Sequence, residues 1–113
     1  MIIQENESKR DIKLIQAIRE KAAEYLQRES NQTSLITVTD VKLSKDGKHA
    51  KILFSVLPTD KEIGALNFAK RHRSEFYKYF IDNIRIGRPP LFDFEIDSGE
   101  KNRQKIDDLI NKN

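Results

Sequence analysis

"FAKRHRSEF", residues 68–76, is the stretch on which the fold turns. It lies inside a helical segment with apolar residues before it (Ile63, Leu66, Ala69) and after it (Phe76, Tyr77, Phe80, Ile81, Ile84). Between them, Lys70-Arg71-His72-Arg73-Ser74-Glu75 carries no aliphatic side chain. A straight helix extending the face of 63, 66 and 69 would put Arg73 against the core, where a charge is costly unless paired or able to reach solvent. Two helices meeting near Ala69–Arg71 avoid that cost; the alternative is a continuous, slightly bent helix with Arg73 reaching solvent. With two helices, each buries its own stripe, and the basic residues project from the corner. A helix N-terminus there adds exposed N–H groups and a partial positive charge, both suited to phosphate.

Upstream of this stretch, Pro58 ends a strand because it cannot donate to a ladder. Thr59-x-x-Glu62 then reads as a capping box opening the helical segment, which runs to about Asn83. Before Pro58, "LITVTDVKLS" (35–44) is rich in β-branched residues. "KDGKHAKILFSVL" (45–57) alternates Ala50, Ile52, Phe54 and Val56 against Lys51, Leu53, Ser55 and Leu57. Both are strands by composition and period. Asp46-Gly47 between them suits a tight turn with positive φ. The second strand is apolar on both faces, which places it centrally. Residues 8–29 read as a helix, with Ser8 and Asp11 in a capping arrangement and a buried stripe of Ile12, Ile15, Ile18, Ala22, Tyr25 and Leu26. "ESNQTS" (29–34) is its polar stop, and residues 1–7 are a frayed end.

Downstream, "RIGRPP" (85–90) is a loop, since two prolines and a glycine oppose regular structure. "LFDFEID" (91–97) alternates Phe92, Phe94 and Ile96 against Leu91, Asp93, Glu95 and Asp97, a half-exposed strand. A last helix at about 100–112 offers Ile106, Leu109 and Ile110. The chain is therefore α+β, a single domain over residues 1–113: a three-stranded sheet with helices packed on one face, in the order α-β-β-α(kinked)-β-α. The strand order within the sheet is left open.

The 113 residues suit one modest core, with 37% apolar and 35% charged side chains and no cysteine, which excludes disulfides and thiolate zinc. The acidic N-terminus is no signal peptide, and no apolar run is long enough to span a membrane, so a cytoplasmic protein without membrane contact is expected. The net charge of +3 is unevenly spread. Residues 61–90 hold seven basic and three acidic groups, or 7 − 3 = +4, while residues 91–113 hold four and six, or 4 − 6 = −2. Such a local basic patch attracts polyanions.

Three features test for other functions. His49 and His72, the two histidines, have no evident carboxylate partner in sequence, so general-base catalysis is unsupported. Asp93, Glu95 and Asp97 share one strand face and have the chemistry for magnesium, but a solvated face whose acids balance nearby cations is the plainer reading. Tyr77, Tyr79 and Phe80 offer a protein-docking surface, yet Tyr77 and Phe80 read as core and Tyr79 as half exposed.

The chain resembles the bacterial ribosome-binding factor A family over nearly its whole length. The resemblance rests on "VTDVKLSKDGKHAKILFSVL" (38–57), on "ALNFAKRHR" (65–73), and on "RIGRPPLFDFEIDSGEKNRQKIDDLI" (85–110), in this order and spacing. It implies a KH-like fold of the second type, in which an Ala-x-Gly kink between two helices replaces the glycine-rich KH loop. Ala69-Lys70-Arg71 falls at that kink: Ala69 matches, and Arg71 stands where the family has glycine. The resemblance also implies an assembly factor, not an enzyme, that binds the small ribosomal subunit and its rRNA during late maturation, including 16S rRNA processing, especially in the cold. The alternative is a generic basic RNA- or protein-binding module. The RNA-binding residues implied are Lys70, Arg71 and Arg73, extended by Arg85 and Arg88, with Lys45 and Lys48 on the hairpin turn. No cofactor or metal is expected, and the free protein is expected to be monomeric.

Overall fold

The computed structural model describes residues 9–30, 33–97 and 99. The elements are α1 (Lys9–Glu29), β1 (Leu35–Leu43), β2 (His49–Leu57), a 3₁₀ turn (Thr59–Lys61), α2 (Glu62–Arg71), α3 (Arg73–Asn83) and β3 (Leu91–Ile96). The expected N-terminal fray, the Ser8 cap, part of the polar stop and the helix at 100–112 lie outside the described residues.

The sheet has the order β1-β2-β3, with β2 central as its two-sided apolar pattern predicts. β1 and β2 pair antiparallel across the Ser44–Lys48 turn, where Gly47 has φ +72°. Asp46 Oδ1 accepts from the Ser44 hydroxyl (2.7 Å) and the Lys48 N–H (3.0 Å). These two bonds hold its carboxyl below the usual carboxylate range. β3 pairs parallel to β2, from His49↔Leu91 to Phe54↔Ile96. Parallel neighbours need a long crossover, and α2 and α3 supply it.

The register of β1 depends on a feature the alternation rule does not anticipate. Ile36 and Val38 pair with inward-facing Val56 and Phe54, while Val41 and Leu43 pair with inward-facing Ile52 and Ala50. These two pairs of residues have opposite parity along the chain. A β-bulge between Val38 and Asp40 restores the face, because one extra residue offsets the period of two. The Thr39 carbonyl freed there accepts from the Arg19 guanidinium of α1. The Thr39 hydroxyl lies between the Leu53 carbonyl and the Asp97 carboxylate.

The helices cover the inward face of the sheet. From α1 come Ile18, Ala22, Tyr25 and Leu26; Ile12, expected in that stripe, is 51% exposed because it lies off its face. Phe76 and Phe80 of α3 pack edge-on against Phe92, with ring centroids 4.9 and 5.3 Å apart. α2 buries Ala65 and Ala69, whereas Ile63 is 76% exposed. Of the face read from the sequence as 63, 66 and 69, Ala69 is buried and Leu66 packs partly against the core, while Ile63 falls outside it. The true line is Ala65, Ala69, His72, Phe76 and Phe80, and Arg73 falls outside it. Ala65 is not part of the face read from the sequence, and the small side chains of Ala65 and Ala69 allow the helix to lie close to the sheet.

The capping box is also displaced. Thr59 opens a 3₁₀ turn behind Pro58, and the positions preceding this turn and α2 carry no side-chain cap. The peptide bond before Pro58 is cis.

Phe76→Ala should cost about 3–5 kcal/mol in urea unfolding, as for other fully buried aromatics. Ile63→Ala should stay within about 0.5 kcal/mol, as for an ordinary surface change. The opposite ranking would reinstate the face read from the sequence.

Candidate nucleic-acid interface

His72 is the break between α2 and α3, directly after Ala69-Lys70-Arg71. Its backbone, φ −99° and ψ 13°, lies in the sparsely used bridge region but needs no glycine. Arg71 precedes this break in the last turn of α2, and no left-handed residue ends the helix. The His72 backbone N–H bonds the Phe68 and Ala69 carbonyls, and side chains add to this. His72 Nδ1 lies 2.8 Å from the Phe68 carbonyl, which only accepts, so this nitrogen carries a proton. Arg73 Nε donates to the Lys70 carbonyl (3.1 Å).

The imidazole also fills the gap in the apolar stripe. It stacks on Phe68 with centroids 4.1 Å apart and lies 6.3 Å from the Tyr25 ring of α1. Burial, and then the negative Glu75 and Glu29, push the Tyr25 phenol up to about 12, so it stays neutral beside the corner. His72 Nε2 lies 3.4 Å from Glu75 Oε1. That carboxylate partner, three residues on, was not recognised in the sequence; helical i,i+3 spacing was the available signal.

The basic residues expected to act together are divided by the structure. Lys70 and Arg73 converge on Asp93 of β3, with Lys70 Nζ at 3.0 Å and Arg73 Nη1 at 3.3 Å from the same oxygen. The Phe94 N–H also bonds it at 2.9 Å. Partial burial raises the Asp93 carboxyl, but the Lys70 bond, the Phe94 N–H and the nearby Arg73 outweigh it and hold the group below its ordinary value. Arg71 is exposed and lines a different groove, with Ser30, Asp60, Gly64 and Phe68. Arg73 also borders an open groove of ≈ 840 Å³ between the hairpin end, α3 and β3, with Lys42, His49, Lys51 and Tyr77. Lys42 and Lys51 were not among the residues predicted, and the alternation of their strands was the only signal for them; Tyr77 of α3 reads as core in the sequence.

Lys45 and Lys48 stand exposed on the hairpin turn. Arg85 is exposed in the loop after α3. Arg88 sits in another groove, with Lys9, Arg10 and Lys13 of α1. It does not continue the corner.

The acidic face of β3 is committed to other partners. Asp93 holds Lys70 and Arg73, Glu95 pairs with Lys51 at 3.0 Å, and Asp97 takes the Thr39 hydroxyl. Among the described residues no group of three or more potential ligands gathers around a metal position. The arrangement can neutralise an anion and hold it against apolar walls.

Comparison with known proteins gives this geometry a family. The family described as Ribosome-binding factor A matches residues 10–110. A ribosome-binding factor A of Clostridium botulinum (strain Eklund 17B) is 37% identical over 82 residues, 71% of each chain. One from Thermodesulfovibrio yellowstonii is 36% identical over 108 residues, covering 90% of this chain and 88% of the relative. Among solved structures, the crystal structure of ribosome-binding factor A from Thermus thermophilus superposes with a TM-score of 0.66 at 27% identity, over 75% of this chain and 93% of that one. A homology model of the Thermus thermophilus factor, as fitted into the cryo-EM map of a 30S–RbfA complex, gives 0.62 at 26% identity, over 70% and 86%. These neighbours share the KH-like α+β arrangement.

The Asp93 clasp makes a pH-dependent prediction. A carboxyl held below its ordinary value of 3.8 contributes stability that is present above that value and lost as pH falls through the depressed one. The melting temperature difference between wild type and Asp93→Asn should therefore be constant above about pH 5 and shrink below about pH 4. A difference that is flat across this range would mean that the clasp adds no charge-dependent stability.

Proposed function

The chain belongs to the ribosome-binding factor A family, and on that premise we propose that it binds the small ribosomal subunit and its rRNA during late maturation, assisting 16S rRNA processing as an assembly factor and not as an enzyme. The observation that carries the reading is the likeness to the Thermus thermophilus factor placed in a 30S–RbfA complex. The helix junction is the contact. Arg71 offers an exposed guanidinium on one side of it, and Lys70 and Arg73 offer cations on the other.

The physics of the corner shapes this binding. Exposed cations near phosphates release counterions, which supplies affinity that falls steeply with salt. Lys70 and Arg73 already share Asp93, so a phosphate must compete with, or lie beside, that carboxylate. Arg71 supplies a side-chain contact where a glycine would admit the RNA backbone more closely. Phosphate contacts of this kind position the protein and carry no sequence information. No helix among the described residues is long and apolar enough to cross a membrane. The protein acts in the cytoplasm as a monomer when free, without a cofactor.

Co-sedimentation with purified small and large subunits over a salt series tests the proposal. Wild type should pellet with the small subunit alone. Lys70→Ala/Arg71→Ala should remain in the supernatant at salt concentrations where wild type pellets. Equal pelleting with both subunits would leave only a generic basic module, and an unaffected double variant would move the contact away from the corner.

A further inference from the structure

We propose that Lys9, Arg10 and Lys13 of α1, together with Arg88, form a second phosphate-binding surface that grips RNA backbone. This rests on the RNA-binding reading above but uses a different surface. The four cations surround a groove of ≈ 490 Å³ with an aliphatic floor that includes Leu14, Ile84 and Ile86. Among the described residues no carboxylate lines the groove.

The state of these cations separates them from those of the corner. Lys70 and Arg73 are bonded to Asp93, and Lys51 to Glu95. Lys9, Arg10, Lys13 and Arg88 are exposed and have no carboxylate within ion-pair distance among the described residues. Three of them occupy the first turns of a 21-residue helix. Cations at a helix N-terminus oppose its macrodipole, and an anion bound between them relieves that repulsion. Arg88 closes the cluster from the loop before β3, so the tertiary fold, and not the local sequence, completes it.

Among the described residues the groove has no side-chain amide, hydroxyl or aromatic ring. Cations over an aliphatic floor suit phosphate and sugar. The two basic surfaces lie apart. The corner packs at Tyr25, twelve residues beyond Lys13 along α1, which is about 18 Å at the helical rise. One protein would thus hold two separate backbone segments of a folded RNA and fix their relative position.

The test uses the full chain with Lys9→Gln, Arg10→Gln, Lys13→Gln and Arg88→Gln combined. Binding is measured to a single-stranded 20-nucleotide oligouridine and to purified small subunits across a salt series, with thermal melts as the folding control. The slope of log affinity against log salt for oligouridine should flatten by about 2–3, since each lost phosphate contact on a single strand is worth about 0.7. Small-subunit affinity at low salt should fall at least tenfold. An unchanged oligouridine slope in a folded variant overturns the proposal. A fall in subunit affinity with that slope unchanged also overturns it, and points to an acidic amphipathic protein segment in the groove. If the combined variant does not fold, Lys13→Gln and Arg88→Gln singly should each flatten the slope by about 0.7, and no change in either overturns the proposal. Wild type that ignores small subunits but keeps the variant-sensitive slope would defeat the ribosomal reading and leave this surface standing.

Discussion

A helix that must keep its buried face through a run of charged residues is the constraint on which the rest of the structure depends. The connection from β2 to β3 needs α2 and α3 to lie continuously on the sheet. His72 makes that possible. It is flat enough to stack on Phe68 and near Tyr25, and polar enough to take the Phe68 carbonyl at the helix break. An aliphatic residue there would leave that carbonyl without its side-chain donor. A lysine would bring a charge without a ring. The basic side chains beside it are thereby turned outward without interrupting the core beneath them.

The same junction links stability to the candidate function. Arg73 caps α2 through the Lys70 carbonyl and, with Lys70, grips Asp93 on the edge strand. Both edge strands use an aspartate in a related way: Asp40 bonds the Val41 N–H, and Asp93 bonds the Phe94 N–H. Charged residues and a bulge on edge strands discourage pairing with other chains. At the β3 edge the carboxylate also holds two cations in place at the mouth of a groove. The acids of β3 thus position the corner's positive charge and at the same time reduce its effect, which makes the local balance of charge, and not the count of lysines and arginines, the quantity that sets the field there.

Several particulars were legible in the sequence because they depend on nearest neighbours. Asp46-Gly47 announced the turn. The two-sided pattern of β2 announced its central place. The interrupted stripe announced a break close to where it falls. What was misread depended on phase and on small residues. Ile63 drew the helix face toward itself because it is large and apolar, while Ala65, which makes the contact beside Ala69, carries a weak hydrophobic signal. Ile12 misled the reading of α1 in the same way. The Thr39 bulge was missed because alternation presumes an unbroken period of two.

The sequence by itself determined the helices and strands of the described residues, their order, the concentration of positive charge between residues 61 and 90, and the short motifs that resemble those of its family. All of these are properties of local period, composition and spacing. Only the tertiary structure decided how the charges are shared. Residues adjacent in sequence diverge around a helix by about 100° each, so Lys70 and Arg71 serve different surfaces. Residues far apart converge through packing, so Asp93 meets Lys70 and Arg73, and Arg88 meets the start of α1. Charge along a chain is additive, whereas the electrostatic field at a surface depends on which charges the fold brings within reach of one another.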